Sequence, residues 1–169
     1  YRAAFFWEER NRWFSDLWTD IGGDDQHLEA GPRDRSAAFP LALPYRLITM
    51  FSVYGDTILD PFWGTGTTTL AAMAAARNSV GYELVEDLVA GFQDRADDAA
   101  QIAERLATDR LQAHRAFVRQ RRRDDNDLSY DAEHYDFPVV TRQERRIRLR
   151  GIEDVQRCPE GYRVEHDWI

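Results

Sequence analysis

The sequence predicts an α/β nucleotide-binding core that carries a small β appendage, and three observations predict it. The apolar run Thr57-Ile58-Leu59 leads through Asp60-Pro61-Phe62-Trp63-Gly64-Thr65-Gly66-Thr67-Thr68-Thr69 into the alanine-rich stretch Leu70 to Ala76. That order is a buried strand, a glycine turn and a helix start, in which backbone can approach a nucleotide-like ligand. A second short run, Ser79-Val80-Gly81-Tyr82, then ends on Glu83, so two successive strands each finish on a carboxylate. Beyond Asp124 the helical spacing gives way to short extended segments around Pro138, Pro159 and Gly161.

The elements follow in order. Ala3 to Trp18 is dense in large aromatics, and Trp13 and Trp18 there are read as core rather than as a surface for stacking a base. Asp20 to Ser36 is polar and reads as a loop. Phe39-Pro40-Leu41-Ala42-Leu43-Pro44 is extended by its prolines, and Pro44 suits the first turn of a helix running to Ser52. Gly55-Asp56 turns into the strand Thr57 to Asp60, and a helix follows from about Thr67 to Ala76, ended by Arg77-Asn78. From Glu86 to about Arg122 one long helical pattern places Leu88, Phe92, Ala96, Ala99, Ile102, Leu106, Leu111 and Phe117 on an apolar stripe. Asp124 to Tyr135 is a polar linker. Phe137 to Val140 and Arg145 to Leu149 read as strands, and Gly151 to Val155 pairs with Tyr162 to Asp167 across Pro159-Glu160-Gly161.

Composition bounds the function. With 169 residues, 43% of them hydrophobic, the chain is one domain long enough to bury a core. The single cysteine, Cys158, excludes an internal disulfide and a cysteine metal cluster. No apolar run reaches membrane-spanning length and no leader opens the chain, so no membrane partner is expected and the default location is the cytoplasm. All 22 basic residues are arginine, against 30 acids and a net charge of −8. A lysine-free, acidic chain points to a prokaryotic cytoplasm of high salt or to a GC-rich genome. It is no general polyanion binder, so any contact with nucleic acid must use local arginine clusters.

The glycine loop has three rival ligands. A phosphate loop needs a lysine after its last glycine, and the chain has none. A dinucleotide fingerprint wants a third glycine where Thr69 stands, which weakens that reading without excluding it. S-adenosylmethionine carries sulfonium and ammonium groups that suit Asp60, and Glu83, about twenty residues past the loop, is placed to accept ribose hydroxyls. Against these stands a plain strand-turn-helix whose glycines only close the turn.

Phe39-Pro40, Leu43-Pro44, Gly55-Asp56, Leu59 to Thr69 and Arg77-Asn78-Ser79-Val80-Gly81-Tyr82-Glu83 together resemble the cofactor half of the DNA amino-methyltransferases. The resemblance covers about a quarter of the chain. It implies a Rossmann-like S-adenosylmethionine-dependent core with a partial sheet, and methylation of the exocyclic amine of adenine or cytosine in duplex DNA after base flipping. By it, Asp60 and the loop residues Phe62, Gly64, Thr65, Gly66 and Thr67 hold the methionine portion and Glu83 the ribose. Phe39 and Pro40 close over the cofactor, although a proline-fixed core turn explains that pair as well. The implied division is a partial methyltransferase domain over 1–123, with its motifs at 39–83, and a β-rich extension over 124–169.

One part of the family pattern is missing. Catalysis in these enzymes uses a polar residue followed by Pro-Pro and an aromatic, and no Pro-Pro pair occurs here. With the start at Tyr1, this leads us to expect the catalytic half upstream, on a partner chain, or lost, and the chain alone to be inert. A non-catalytic remnant that binds cofactor or a partner, or a methyltransferase for RNA or a small molecule, remains an alternative. Arg119, Arg121, Arg122 and Arg123 suit a helix C-terminus better than DNA phosphates. Arg146, Arg148 and Arg150 alternate along a strand, facing DNA or guarding an edge. His27, His114, His134 and His166 are scattered and define no metal site.

Overall fold

The computed structural model describes residues 4–22, 39–124 and 128–169. The expected loop from residue 23 to Ser36, and His27 within it, lie outside the described residues.

The first helix, α1 (Trp7–Trp13), is followed by α2 (Ala42–Phe51), with Pro44 in its first turn. The strand β1 (Thr57–Asp60) runs parallel to β2 (Asn78–Gly81), and the alanine-rich α3 (Thr67–Ala74) crosses between them. Thr57 stands opposite Asn78 and Asp60 opposite Gly81. Among the described residues no further strand joins this pair, so the sheet is a partial one of an α/β fold. The alanines of α3 let neighbouring backbones approach closely. Ala71, Ala72, Ala74 and Ala75 are buried against Tyr45 and Ile48 of α2 and Ala103 of the longest helix.

The helical pattern after Glu86 is three helices rather than one: α4 (Glu86–Ala90), α5 (Phe92–Asp97) and α6 (Ala99–Arg123). The breaks fall at Gly91 and Asp98, residues of poor helix propensity. The break at Gly91 drops Phe92 into the core with Leu70, Met73 and Ala96. The arginines at the end of α6 lie where the helix carbonyls concentrate negative potential, and Arg121 also caps the Trp7 ring at 5.1 Å.

Beyond α6, β3 (Tyr130–Asp131) pairs antiparallel with β4 (Pro138–Val139), within what reads in sequence as linker and strand. The expected strand Arg145 to Leu149 does not form. A 3-10 turn, Arg142–Arg146, stands there, because Thr141 and Glu144 make a capping box that bends the chain. Arg146, Arg148 and Arg150 therefore do not alternate along one strand face. Arg145 and Arg146 reach Glu133 at 3.5 and 3.6 Å, while Arg148 and Arg150 lie over Trp168. The hairpin β5 (Arg150–Cys158) and β6 (Gly161–Trp168) pairs as expected across Pro159-Glu160, and a bulge near Glu153 shifts its register.

Trp13 is buried, as the core reading expects, and Trp18 donates its indole N–H to the Trp13 carbonyl at 2.8 Å. Phe6 and Phe137 close a separate cluster with Val139, Ile147 and Leu149, which joins the N-terminal aromatics to the segment after α6. His114 of α6 is enclosed there, stacked on Phe6 with ring centres 4.1 Å apart. Its Nδ1 lies 2.8 Å from Glu8 and its Nε2 3.1 Å from the Pro138 carbonyl, an arrangement that uses both nitrogens as donors when the ring is protonated. Burial pushes the imidazole pKa down, but the hydrogen bond and charge of Glu8 outweigh it and the net shift is upward. The stabilisation is therefore present in full below the unfolded value of about 6.5 and is lost as pH rises through the raised folded value. His114→Gln is expected to remove this decline, which urea denaturation over a series from about pH 6 to 8 would show.

Among the described residues no helix is long and apolar enough to cross a membrane, and no group of three or more His, Cys, Asp or Glu side chains could hold a metal ion.

Candidate cofactor-binding site

The site is built at the carboxyl ends of β1 and β2. Pro61 cannot extend β1, and the chain turns through Gly64 (φ 57°) and Gly66 (φ 77°) before α3 begins at Thr67. The loop is tied to β2 by its backbone: the Tyr82 amide donates to the Asp60 carbonyl and the Trp63 amide to the Tyr82 carbonyl, both at 3.0 Å.

The two predicted carboxylates act on this one loop. Asp60 Oδ1 accepts from the Phe62 amide at 3.0 Å, and Glu83 Oε2 accepts from the Gly64 amide at 2.8 Å. Glu83 Oε1 also accepts from Leu84 and Val85 at 2.8 and 2.9 Å. These amides, Val85 first, hold its carboxyl below the usual carboxylate range, so it stays ionised at neutral pH. Three bonds occupy three of its roughly four acceptor directions, which fixes its orientation and leaves room for one more donor.

The other predicted residues are distributed unevenly. Phe62 is 88% exposed at the loop tip, and Gly66 and Thr67 are buried at its base. The hydroxyls of Thr65 and Thr67 lie 3.3 Å apart. Phe39 and Pro40 stand before α2, where the Pro40 carbonyl accepts from Leu43 at 3.0 Å, and α2 packs on α3.

Trp63, Phe92 and Arg95 support the loop and are absent from the sequence-based site. Trp63 lies across Gly81, whose missing Cβ makes the space, and donates its indole N–H to Thr69 Oγ1 at 2.7 Å. Its ring meets that of Phe92 at 4.8 Å. Trp63 sits inside the motif and could have been found there, whereas Arg95 carries no signal that separates it from the other charges on an amphipathic helix.

A cleft of about 1170 Å³ opens between β2 and the β5–β6 hairpin. Trp63, Tyr82, Glu83 and Phe92 line one side, and Tyr162, His166 and Trp168 line the other. It reaches Glu83 but leaves Asp60, Phe62, Gly64 and Thr65 outside its walls. Loop and cleft thus meet at Trp63 and Glu83.

The site is thus a parallel α/β strand pair with a glycine turn, two carboxylates bonded to that turn and no phosphate-loop lysine. Residues 1–94 match the profile of the N6_N4_Mtase family, DNA methylase, and the chain belongs to that family. It is 45% identical over 148 residues to the type II methyltransferase M.MthZI of Methanothermobacter thermautotrophicus, covering 87% of this chain and 40% of that protein. It is 50% identical over 88 residues to the type II methyltransferase M.MjaI of Methanocaldococcus jannaschii, covering 52% and 28%. Among solved structures it is similar to TTHA0409 of Thermus thermophilus, assigned as a DNA modification methylase and solved in complex with S-adenosyl-L-methionine. That match has 38% identity and a TM-score of 0.44, over 55% of this chain and 33% of that one. The chain spans less than half the length of these relatives.

Proposed function

We propose that the chain is the cofactor-binding half of an S-adenosylmethionine-dependent DNA methyltransferase that modifies the exocyclic amine of adenine or cytosine. The observation that carries this reading is the pair of strand-end carboxylates, Asp60 and Glu83, both bonded to amides of one glycine loop in a member of the DNA methylase family. The cofactor supplies a methyl group on a positively charged sulfur. Asp60 offers the opposite charge beside the loop, Glu83 offers an oriented acceptor for ribose, and Phe62, Gly64, Thr65, Gly66 and Thr67 form the cradle between them. Phe39 and Pro40 close the same site from the start of α2.

Such a protein serves restriction-modification, acting in a prokaryotic cytoplasm on duplex DNA with the target base flipped out, a role that the type II naming of its relatives supports. The catalytic motif belongs to an upstream segment or a partner chain. The surroundings of β1 support this, because Leu59 is 63% exposed on a sheet face and no described strand pairs with the outer edge of β1. In this reading 1–123 is the partial methyltransferase domain and 124–169 an extension that walls the cleft.

Calorimetry with S-adenosylmethionine tests the assignment. Asp60→Ala and Glu83→Ala are each expected to weaken binding at least about tenfold. Equal affinity in all three proteins would sink the site. The chain alone is expected to transfer no methyl group to DNA. Transfer that Asp60→Ala abolishes would show instead that this chain holds the catalytic machinery.

A further inference from the structure

The glycine loop is braced by a cation from α5. Arg95 Nη1 donates to the Thr65 carbonyl at 2.7 Å and lies within reach of Thr65 Oγ1 at 2.8 Å and Thr67 Oγ1 at 3.3 Å. Three acceptors exceed the two protons on one guanidinium nitrogen, so at least one proton is shared between two oxygens. Among the described residues no carboxylate forms an ion pair with Arg95. Burial lowers its pKa, and among the described residues its hydrogen bonds go to loop oxygens.

Phe92, one turn earlier on the same helix face, fills the space that Gly66 leaves open. Thus α5 presents an apolar contact at Gly66 and a charged one at Thr65 and Thr67. If α5 had only to pack, an apolar residue in place of Arg95 would avoid desolvating a guanidinium that lacks a counter-ion. The position of the charge suggests a use for it. Among the described residues no side chain caps the amides at the start of α3, and a positive charge stands behind them.

We propose that Arg95 is a positioning residue for the amino-acid end of the cofactor. It draws Thr65 and Thr67 back and adds positive potential where the carboxylate of that end is received, complementing Asp60, which faces the cationic groups. The inference rests on the cofactor reading above and deepens it, because it divides the site into a nucleoside end at Glu83 and an amino-acid end at Thr65 to Thr67.

The test compares two ligands by calorimetry: S-adenosylmethionine, and methylthioadenosine, which keeps the nucleoside but lacks the amino-acid end. Arg95→Met is expected to weaken S-adenosylmethionine about tenfold or more and to leave methylthioadenosine within about twofold. Arg95→Lys, which keeps the charge but not the fork, is expected to fall between. An unchanged affinity for S-adenosylmethionine overturns the proposal, and so does an equal loss for both ligands, which is what a purely structural role would give. If Arg95→Met does not fold, Arg95→Lys carries the same comparison, and the same two results overturn the proposal. Failure of the unsubstituted chain to bind either ligand would instead remove the cofactor reading, a result distinct from unselective behaviour of the variants.

Discussion

Glu9→Ala is expected to destabilise the protein by about 3–5 kcal/mol, the cost of leaving a buried charge without its partner. Glu9 is 2% exposed on α1 and forms a two-pronged pair with Arg110 of α6: Oε1 with Nε at 2.6 Å and Oε2 with Nη2 at 2.8 Å. The Phe6 amide adds a third bond to Oε2 at 2.8 Å. Arg110 also donates to the Ala4 carbonyl at 2.7 Å and the Tyr45 hydroxyl at 3.2 Å, with its guanidinium 5.4 Å from the centre of the Trp13 ring. Removing the carboxylate takes away the counter-charge of a guanidinium that has little access to water. In urea denaturation the midpoint should fall with the slope unchanged. The double variant Glu9→Leu, Arg110→Met should recover much of the loss, because no lone charge then remains. Strict additivity of the two single losses would show that the pair acts separately.

Gly66→Ala is expected to cost roughly 3 kcal/mol, combining about 1–2 kcal/mol for a side chain in the left-handed region with the strain of overpacking. The φ of 77° is unfavourable for alanine, and its Cβ would stand 2.6 Å from Phe92 Cε2 and 2.8 Å from Trp63 Cζ2. Neither ring can retreat easily, since Trp63 is held by Thr69 and Phe92 is packed against Leu70 and Met73. Gly64→Ala provides the contrast. Its φ is 57°, but the nearest atom to its Cβ is the Phe62 carbonyl oxygen at 3.8 Å, so only the conformational part, about 1–2 kcal/mol, applies. Thermal unfolding of both variants separates crowding from backbone strain, and similar losses at the two positions would contradict the packing account.

The glycine loop is legible in the sequence because its marks are local. The run Thr57 to Asp60, the glycines at 64 and 66, and the alanines of α3 record strand conformation, turn geometry and close helix packing within one stretch of chain, but the buried strand expected there is half-exposed, with Leu59 63% open. The three helices after Glu86 read as one because apolar spacing continues in phase across Gly91 and Asp98, although hydrogen bonding does not. The segment Arg145 to Leu149 reads as a strand for a related reason. Alternating arginines imitate a half-buried strand, while Thr141 and Glu144, the capping pair that curls the chain, stand just before it.

The sequence by itself determined the make-up of the candidate site: a glycine turn with no phosphate-loop lysine, and acids at the ends of two successive strands. What those acids touch was decided only by the tertiary structure, which joins both to amides of the same loop. It also placed Arg95 behind Thr65 and joined Glu9 to Arg110 across 101 positions of chain. The physical reason is that backbone conformation and burial leave a periodic mark on neighbouring residues. A buried charge pair, or a cation behind a loop, depends on residues far apart in the chain, and each of them alone looks like any other solvated charge.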